Sequence, residues 1–219
     1  MSASPEPASP SRDDYYAQDS NEYGRGLSFF DGIYAFSATL LITTLSVPEA
    51  NDWRSFEAMA DSGTLAELGW FALSFVVITA FWYINVGVLR KVQAITGPVM
   101  VANLVAAGLV ILIPFTTHGL SLDGADPYPL PTSLYALNIA LASLAQTAIA
   151  VAARRHGVLE APADGRAWAA ELIQALITPA VFLASIAIAY TLGASAAQWS
   201  WIALVVLIPL AGSLTRPKD

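Results

Sequence analysis

Six long apolar runs alternate with short polar segments along this chain. A helix of about 20 apolar residues is long enough to cross the ~30 Å hydrocarbon core of a bilayer. The pattern therefore predicts an all-α integral membrane protein with six transmembrane helices. The expected spans are residues 28–47, 65–89, 98–117, 132–153, 168–192 and 195–214.

The first 24 residues do not follow this pattern. They are rich in Pro, Ser and acidic side chains and have no apolar periodicity. Such a segment cannot bury enough apolar surface to offset the entropy lost on ordering. We therefore expect a disordered acidic tail at 1–24, followed by one transmembrane domain at 25–219.

The composition excludes several classes of protein. The chain is 56% hydrophobic and only 12% charged, whereas soluble domains carry about 25% charged residues. The net charge of −7 argues against nucleic acid as a partner. Because the chain contains no cysteine, thiol chemistry and iron–sulfur clusters are also excluded.

Basic residues lie almost entirely on one side of the predicted spans. Only Arg54 falls on the side opposite the termini. The nine on the terminal side are Arg12, Arg25, Arg90, Lys91, Arg154, Arg155, Arg166, Arg216 and Lys218. By the positive-inside rule, both termini are expected in the cytoplasm, with the chain in the cell membrane.

The first span carries polar side chains on one helical face. Phe36, Thr39 and Thr43 recur at helical spacing, and Ser46 or Val47 would continue the same face. A face of this kind either packs against another helix or lines water. At the start of the span, Asp31 follows Ser28 by three residues, which is the spacing of a capping box. Asp31 could instead pair with Arg25 or with a neighbouring helix.

Several separated motifs resemble one known family. The first span opens with Arg25-x-x-x-Phe29-x-Asp31-Gly32 and continues through Thr39. Further similarities follow at Phe81-Trp82, at Asn103, at Pro114-Phe115-Thr116-Thr117 and at Tyr135-Ala136-Leu137-Asn138. Together these motifs resemble the potassium channels named for transmembrane protein 175.

The resemblance implies a pore formed by the first helix of four identical subunits. In that family, the position of Phe36 forms the narrowest ring, Thr39 lies beside it, and Thr43 occupies a second layer. Arg25, Phe29, Asp31 and a second-helix residue at Asn85 would form a supporting network at one mouth of the pore. The chain departs from the family where Phe30 replaces serine, Thr43 replaces leucine, and Asn85-Val86 replaces histidines.

The loops opposite the termini are acidic. Glu49 and Asp52 directly follow the first span, and further acids lie nearby in the sequence. Clustered acids raise the local concentration of cations, so these residues could form the outer mouth of a pore. They could equally be ordinary solvated loop residues.

The function predicted from these observations is a potassium-permeable cation channel. It lacks a Thr-Val-Gly-Tyr-Gly filter and would use the apolar ring of the first helix instead. No enzymatic activity, cofactor or metal is expected; the partners would be monovalent cations, lipid and three further copies of the chain. Two alternatives are a non-conducting membrane scaffold and a proton-coupled carrier. The polar side chains within the spans are expected to form interhelical hydrogen bonds. They are Asn85, Asn103, Asn138, Gln146 and Gln174.

Overall fold

The prediction of six apolar membrane-spanning helices is confirmed. A computed structural model describes residues 16–122, 124, 127–160 and 165–215. Within these residues, six helical segments are long and apolar enough to cross a membrane: Asn21–Thr44, Thr64–Leu89, Gly97–Ser121, Pro129–Arg155, Gly165–Thr191 and Ala194–Ser213.

Three of these spans are interrupted by short irregularities, so the described chain has more helices than spans. The first span changes from α-helix to a 3₁₀ turn at Leu41–Thr44. The helices are, in chain order, α1 (Asn21–Leu40), α2 (Phe56–Asp61), α3 (Thr64–Leu89), α4 (Gly97–Ile111), α5 (Ile113–Ser121), α6 (Pro129–Arg155), α7 (Gly165–Thr191), α8 (Ala194–Ser200) and α9 (Ala203–Thr215).

Helix α6 lies at the centre of the fold. It packs against α3, α4, α5, α7 and α8. Its buried side is rich in small residues, which let neighbouring backbones approach closely where no hydrophobic effect drives association. They include Ala136, Ala140, Ala142, Ser143 and Ala145.

The structure differs from the predicted disordered tail at residues 16–24. Residues 1–15 lie outside the described part of the chain. β1 (Tyr16–Ala17) pairs antiparallel with β2 (Ala94–Ile95), and α1 begins at Asn21. The hydroxyl of Tyr23 donates to the carbonyls of Leu89 (2.7 Å) and Val92 (3.0 Å), which fastens the start of α1 to the end of α3. These long-range contacts could not be read from the local composition.

This early start of α1 also overturns the capping role considered for Asp31. The N-cap is Ser20, whose side chain accepts from the amide of Tyr23. Ser28 lies inside the helix and donates to the carbonyl of Gly24 at 2.9 Å. Asp31 is therefore a mid-helix residue, available to a neighbouring helix.

Two ends of the molecule are distinguished by charge. The basic end contains the start of α1 with Arg25, the α3–α4 connection with Lys91, and the end of α6 with Arg154. The acidic end contains the connection from α1 to α3, with Glu49 and Asp52. These two names are used below.

The third span breaks at Leu112, between α4 and α5. Pro114 lies at the start of α5 and has no amide hydrogen to continue the helical ladder. The side-chain amide of Asn138 on α6 lies at the break. With its nitrogen toward Leu109 and its oxygen toward Ile113, it donates to the carbonyl of Leu109 (3.0 Å) and accepts from the amide of Ile113 (3.3 Å). Asn138 thus bonds across helices, as the sequence predicted.

Trp201, between α8 and α9, belongs to the core. It is 8% exposed, donates to the hydroxyl of Ser185 at 2.9 Å and packs against the rings of Tyr135 and Phe182. The break between α8 and α9 turns it inward. Trp199, two residues earlier, is exposed.

Candidate functional site

The first span has one buried and one exposed stripe. Phe30, Tyr34, Ser37, Leu41 and Thr44 are buried against the rest of the protomer. On the other side, an exposed stripe recurs at helical spacing and faces away from the protomer. It consists of Arg25, Phe29, Gly32, Phe36, Thr39 and Thr43. This set, called the exposed stripe below, contains Phe36, Thr39 and Thr43, which the sequence predicted for a pore surface.

Phe36 is the most prominent apolar residue near the middle of the exposed stripe. Its side chain is 61% exposed, and that of Phe29, two turns earlier, is 59% exposed. Phe29 also packs edge-on against the buried Phe30, with ring centroids 5.6 Å apart. Neither Phe29 nor Phe36 is buried in the core of the protomer. Both rings are therefore free to contact another molecule.

The hydroxyl groups of the two threonines in the exposed stripe donate hydrogen bonds to nearby backbone carbonyls of the same span. Thr39 Oγ1 donates to the carbonyl of Phe36 at 2.8 Å, and Thr43 Oγ1 donates to that of Leu40 at 2.7 Å. A hydroxyl has one donor and two acceptor lone pairs. The oxygen of each threonine therefore remains an acceptor on the exposed side, suited to contact a cation or water.

Asp31 bonds to a neighbouring helix. Its Oδ1 accepts from Trp82 Nε1 on α3 at 2.8 Å. This contact links the first span to the second at the motif Phe81-Trp82. Among the described residues, the structure records no ion pair between Asp31 and Arg25. Arg25 is exposed at the basic end of the stripe.

Asn85 belongs to a different cluster from Asp31. Its Nδ2 donates to Asn103 Oδ1 on α4 (2.8 Å) and to Gln146 Oε1 on α6 (3.2 Å). Gln146 Nε2 in turn donates to the hydroxyl of Tyr34 on α1 and to the carbonyl of Phe81 (3.4 Å). This buried cluster, called the amide cluster below, joins four helices. It separates Asn85 from the mouth network in which the sequence placed it.

The end of the first span does not continue as the predicted helix. After the 3₁₀ turn, Leu45 is extended, and neither Ser46 nor Val47 has helical structure. The amide of Ser46 donates to Glu67 Oε2, at the start of α3, at 2.7 Å. Val47 is 90% exposed. Ser46 and Val47 are therefore beside the exposed stripe at its acidic end, and the expectation of a continuous helical face was wrong.

The acids predicted for an outer mouth lie in this connection. Asp52 Oδ2 accepts from the amide of Glu49 at 2.9 Å, so Asp52 shapes the turn. Glu49 itself is exposed. Among the described residues, no group of three or more His, Cys, Asp or Glu side chains could hold a metal ion.

Sequence reasoning missed two members of these networks. In the sequence, Tyr34 looks like one more apolar residue of the first span. The role of Trp82 as the donor to Asp31 was missed because it depends on the relative rotation of α1 and α3. The signal for Tyr34 was its spacing: it lies four residues after Phe30 and seven before Leu41, which are both buried. A tyrosine on a buried membrane face usually has a polar partner.

Comparisons with known proteins find similarity to potassium channels. The model for the endosomal/lysosomal potassium channel TMEM175 matches residues 25–114. A potassium channel from Chryseobacterium sp. (strain P1-3) is 24% identical over 124 residues, covering 57% of this chain and 61% of the relative. A potassium channel from Streptomyces collinus is 31% identical over 101 residues, covering 44% and 47%. The chain thus matches less than two thirds of the length of either relative.

A solved structure supports the fold. The crystal structure of a TMEM175 homologue from Chamaesiphon minutus, described as a lysosomal potassium-selective channel, aligns with a TM-score of 0.65 and 21% identity. The alignment covers 90% of this chain and all of that one. The arrangement of helices is therefore shared over almost the entire length.

Proposed function

Because residues 25–114 match the model of the potassium channel TMEM175, we propose that this chain is a potassium-permeable channel of four identical subunits. The exposed stripe of α1 supports this proposal most directly. It places two hydroxyl oxygens and a large phenyl ring at membrane depth, facing out of the protomer. Lipid would gain nothing from those hydroxyls, whereas ions passing along an axis would.

In the proposed assembly, the exposed stripes of four copies surround one axis. A single stripe cannot enclose a pore, so a ring of copies is needed. Phe36 forms the apolar constriction, which can close by excluding water. Thr39 and Thr43 offer hydroxyl oxygens beside it. The apolar constriction takes the place of a carbonyl filter, and potassium is the permeant ion, not a bound cofactor.

The residues at both mouths have supporting roles in this proposal. At the acidic end, Glu49 and the turn shaped by Asp52 attract cations, while Ser46 and Val47 border the exit. Within the span, Asp31 fixes α1 to α3 through Trp82, and Arg25 is exposed at the basic end. We place that basic end in the cytoplasm of the cell, as the distribution of Lys and Arg favours.

Potassium flux into liposomes containing the purified protein tests this function. The wild type should conduct, and Phe36→Ala should conduct faster because a methyl group replaces the ring at the constriction. Phe115→Ala is the matched control, since Phe115 is similarly exposed (72% against 61%) but lies on α5. It should behave like the wild type.

The other outcomes separate the alternatives. A carrier would give saturating flux that responds to a proton gradient, in both the wild type and Phe36→Ala. A scaffold would pass no potassium in any variant. Equal flux through Phe36→Ala and Phe115→Ala would contradict a constriction at Phe36.

A further inference from the structure

A long crevice runs beside α3 on the side away from the exposed stripe. Its α3 wall is a stripe at helical spacing that consists of Trp70, Leu73, Val77, Ile84 and Val88, and Lys91 follows just after the end of α3. α6 forms another side, and α7 and α9 lie opposite. The crevice comprises two cavities of about 410 and 440 Å³ that share lining residues such as Phe81 and Thr178. From Trp70 to its end at Leu89, α3 rises by roughly 28 Å.

The chemistry of the crevice changes along its length. The cavity toward the acidic end is lined almost entirely by apolar side chains, including Leu73, Val77 and Val205. The cavity toward the basic end ends at Lys91, Glu171 and Trp168. Lys91 Nζ and Glu171 Oε1 are 3.9 Å apart, a long contact between two largely exposed side chains. The crevice is thus apolar at depth and charged at one mouth.

A second cation lies behind this mouth. The Arg154 guanidinium is 4.5 Å from the ring centroid of Trp168, and its Nη1 is buried without a hydrogen-bond partner in the described part of the chain. An unsatisfied buried donor is costly, most of all when it carries charge. Lys91 at the mouth and Arg154 behind Trp168 therefore place two cations at the basic end of the crevice, where Glu171 is the acid that lines the cavity.

We propose that the crevice binds one anionic glycerophospholipid, with an acyl chain in the apolar part and the phosphate at the mouth beside Lys91, with Arg154 behind Trp168. An apolar crevice that opens within a bilayer is filled by hydrocarbon, because water there would lack partners. Half of the ~30 Å hydrocarbon core is about 15 Å, so an acyl chain that starts at Lys91 reaches the level of Phe81 and beyond. The cationic mouth selects the anionic headgroup.

Native mass spectrometry of the detergent-purified full-length protein tests this site. The probes are dioleoyl phosphatidylglycerol and dioleoyl phosphatidylcholine, titrated separately. The wild type should bind one phosphatidylglycerol per chain more tightly than phosphatidylcholine. Lys91→Gln should weaken phosphatidylglycerol binding about fivefold, as expected for one basic residue at a membrane surface. Glu171→Gln should strengthen it, because a competing carboxylate is removed. Arg90→Gln is the control: Arg90 is exposed beside Lys91 but does not line the crevice.

The apolar part of the crevice is tested by filling it with a larger side chain. Ala80 lines the crevice and Ala72 does not, although both are exposed on α3. Ala80→Trp should abolish the tight binding, and Ala72→Trp should retain it, with both variants eluting like the wild type in size-exclusion chromatography. Equal binding by Lys91→Gln and Arg90→Gln, or by the two tryptophan variants, would overturn the proposal. So would crosslinking of a cysteine at position 80 to another copy, since the crevice would then hold protein.

Discussion

Tyr34 shows how much one side chain on the buried face of α1 contributes. Its hydroxyl accepts a hydrogen bond from Gln146, which places the first span in the amide cluster with Asn85 and Asn103. Interhelical hydrogen bonds in membranes are worth about 0.6–2 kcal/mol each. The bond therefore fixes the rotation of α1 more than it determines overall stability.

Replacing Tyr34 with phenylalanine should lower the free energy of unfolding by about 0.6–2 kcal/mol, which corresponds to a few degrees in the melting temperature. The physical cause is the loss of one acceptor for Gln146 Nε2 in a dry environment. Tyr83→Phe is the matched control, because Tyr83 is 75% exposed on α3. Thermal unfolding in detergent measures both, and equal shifts would contradict the role given to Tyr34.

At the scale of the element, the end of the first span is held by a contact with the second. Glu67 at the start of α3 accepts from the amide of Ser46, just after the 3₁₀ turn at Leu41–Thr44. The segment has no helical ladder of its own at this point. The carboxylate therefore keeps the acidic end of the exposed stripe in place.

Glu67→Ala should raise the deuterium exchange rate of the Ser46 amide by roughly tenfold or more, because a hydrogen bond to a charged group contributes about 1.5–3 kcal/mol. Asp61→Ala is the control, since Asp61 is exposed at the end of α2. Hydrogen–deuterium exchange with peptide mass analysis gives the rate. An unchanged rate at Ser46 would show that this contact does not hold the segment.

The sequence predicted the spans well because a bilayer requires long apolar helices, and their length is written in the local pattern. It also identified Asn85 and Gln146 as interhelical hydrogen-bonding residues. It did not predict the partner of Asp31, because the choice of Trp82 depends on how α1 and α3 rotate against each other. Pro114 is a local signal for the break at Leu112, but the contact of Asn138 with that break comes from another helix and has no local signal.

At the scale of the whole molecule, the proposed orientation rests on the charge of the basic end. Because the chain contains no cysteine, a single introduced cysteine can report the orientation without background labelling. Ser55→Cys at the acidic end should react with a membrane-impermeant maleimide in intact cells. His156→Cys at the basic end should react only after lysis, because positive loops are retained in the cytoplasm. Both native residues are exposed, and the reverse pattern would contradict the orientation.

The assembly is also a property of the whole molecule. The exposed stripe leaves Phe36 and Thr39 unused by the protomer, while the opposite stripe is fully buried in it. If copies meet at one axis, a residue at position 36 lies both near its equivalents and in the path of the ions. No other arrangement of this helix places residue 36 both near its equivalents in the other copies and in the path of the ions.

Potassium flux through liposomes containing Phe36→Cys, before and after treatment with a positively charged methanethiosulfonate reagent, tests this placement most directly. Flux should fall to background once the reagent is attached, while Ser55→Cys, exposed in the connection at the acidic end, should label without loss of flux. Undiminished flux through Phe36→Cys, with complete labelling verified by mass spectrometry, would contradict a pore lined by the first helix.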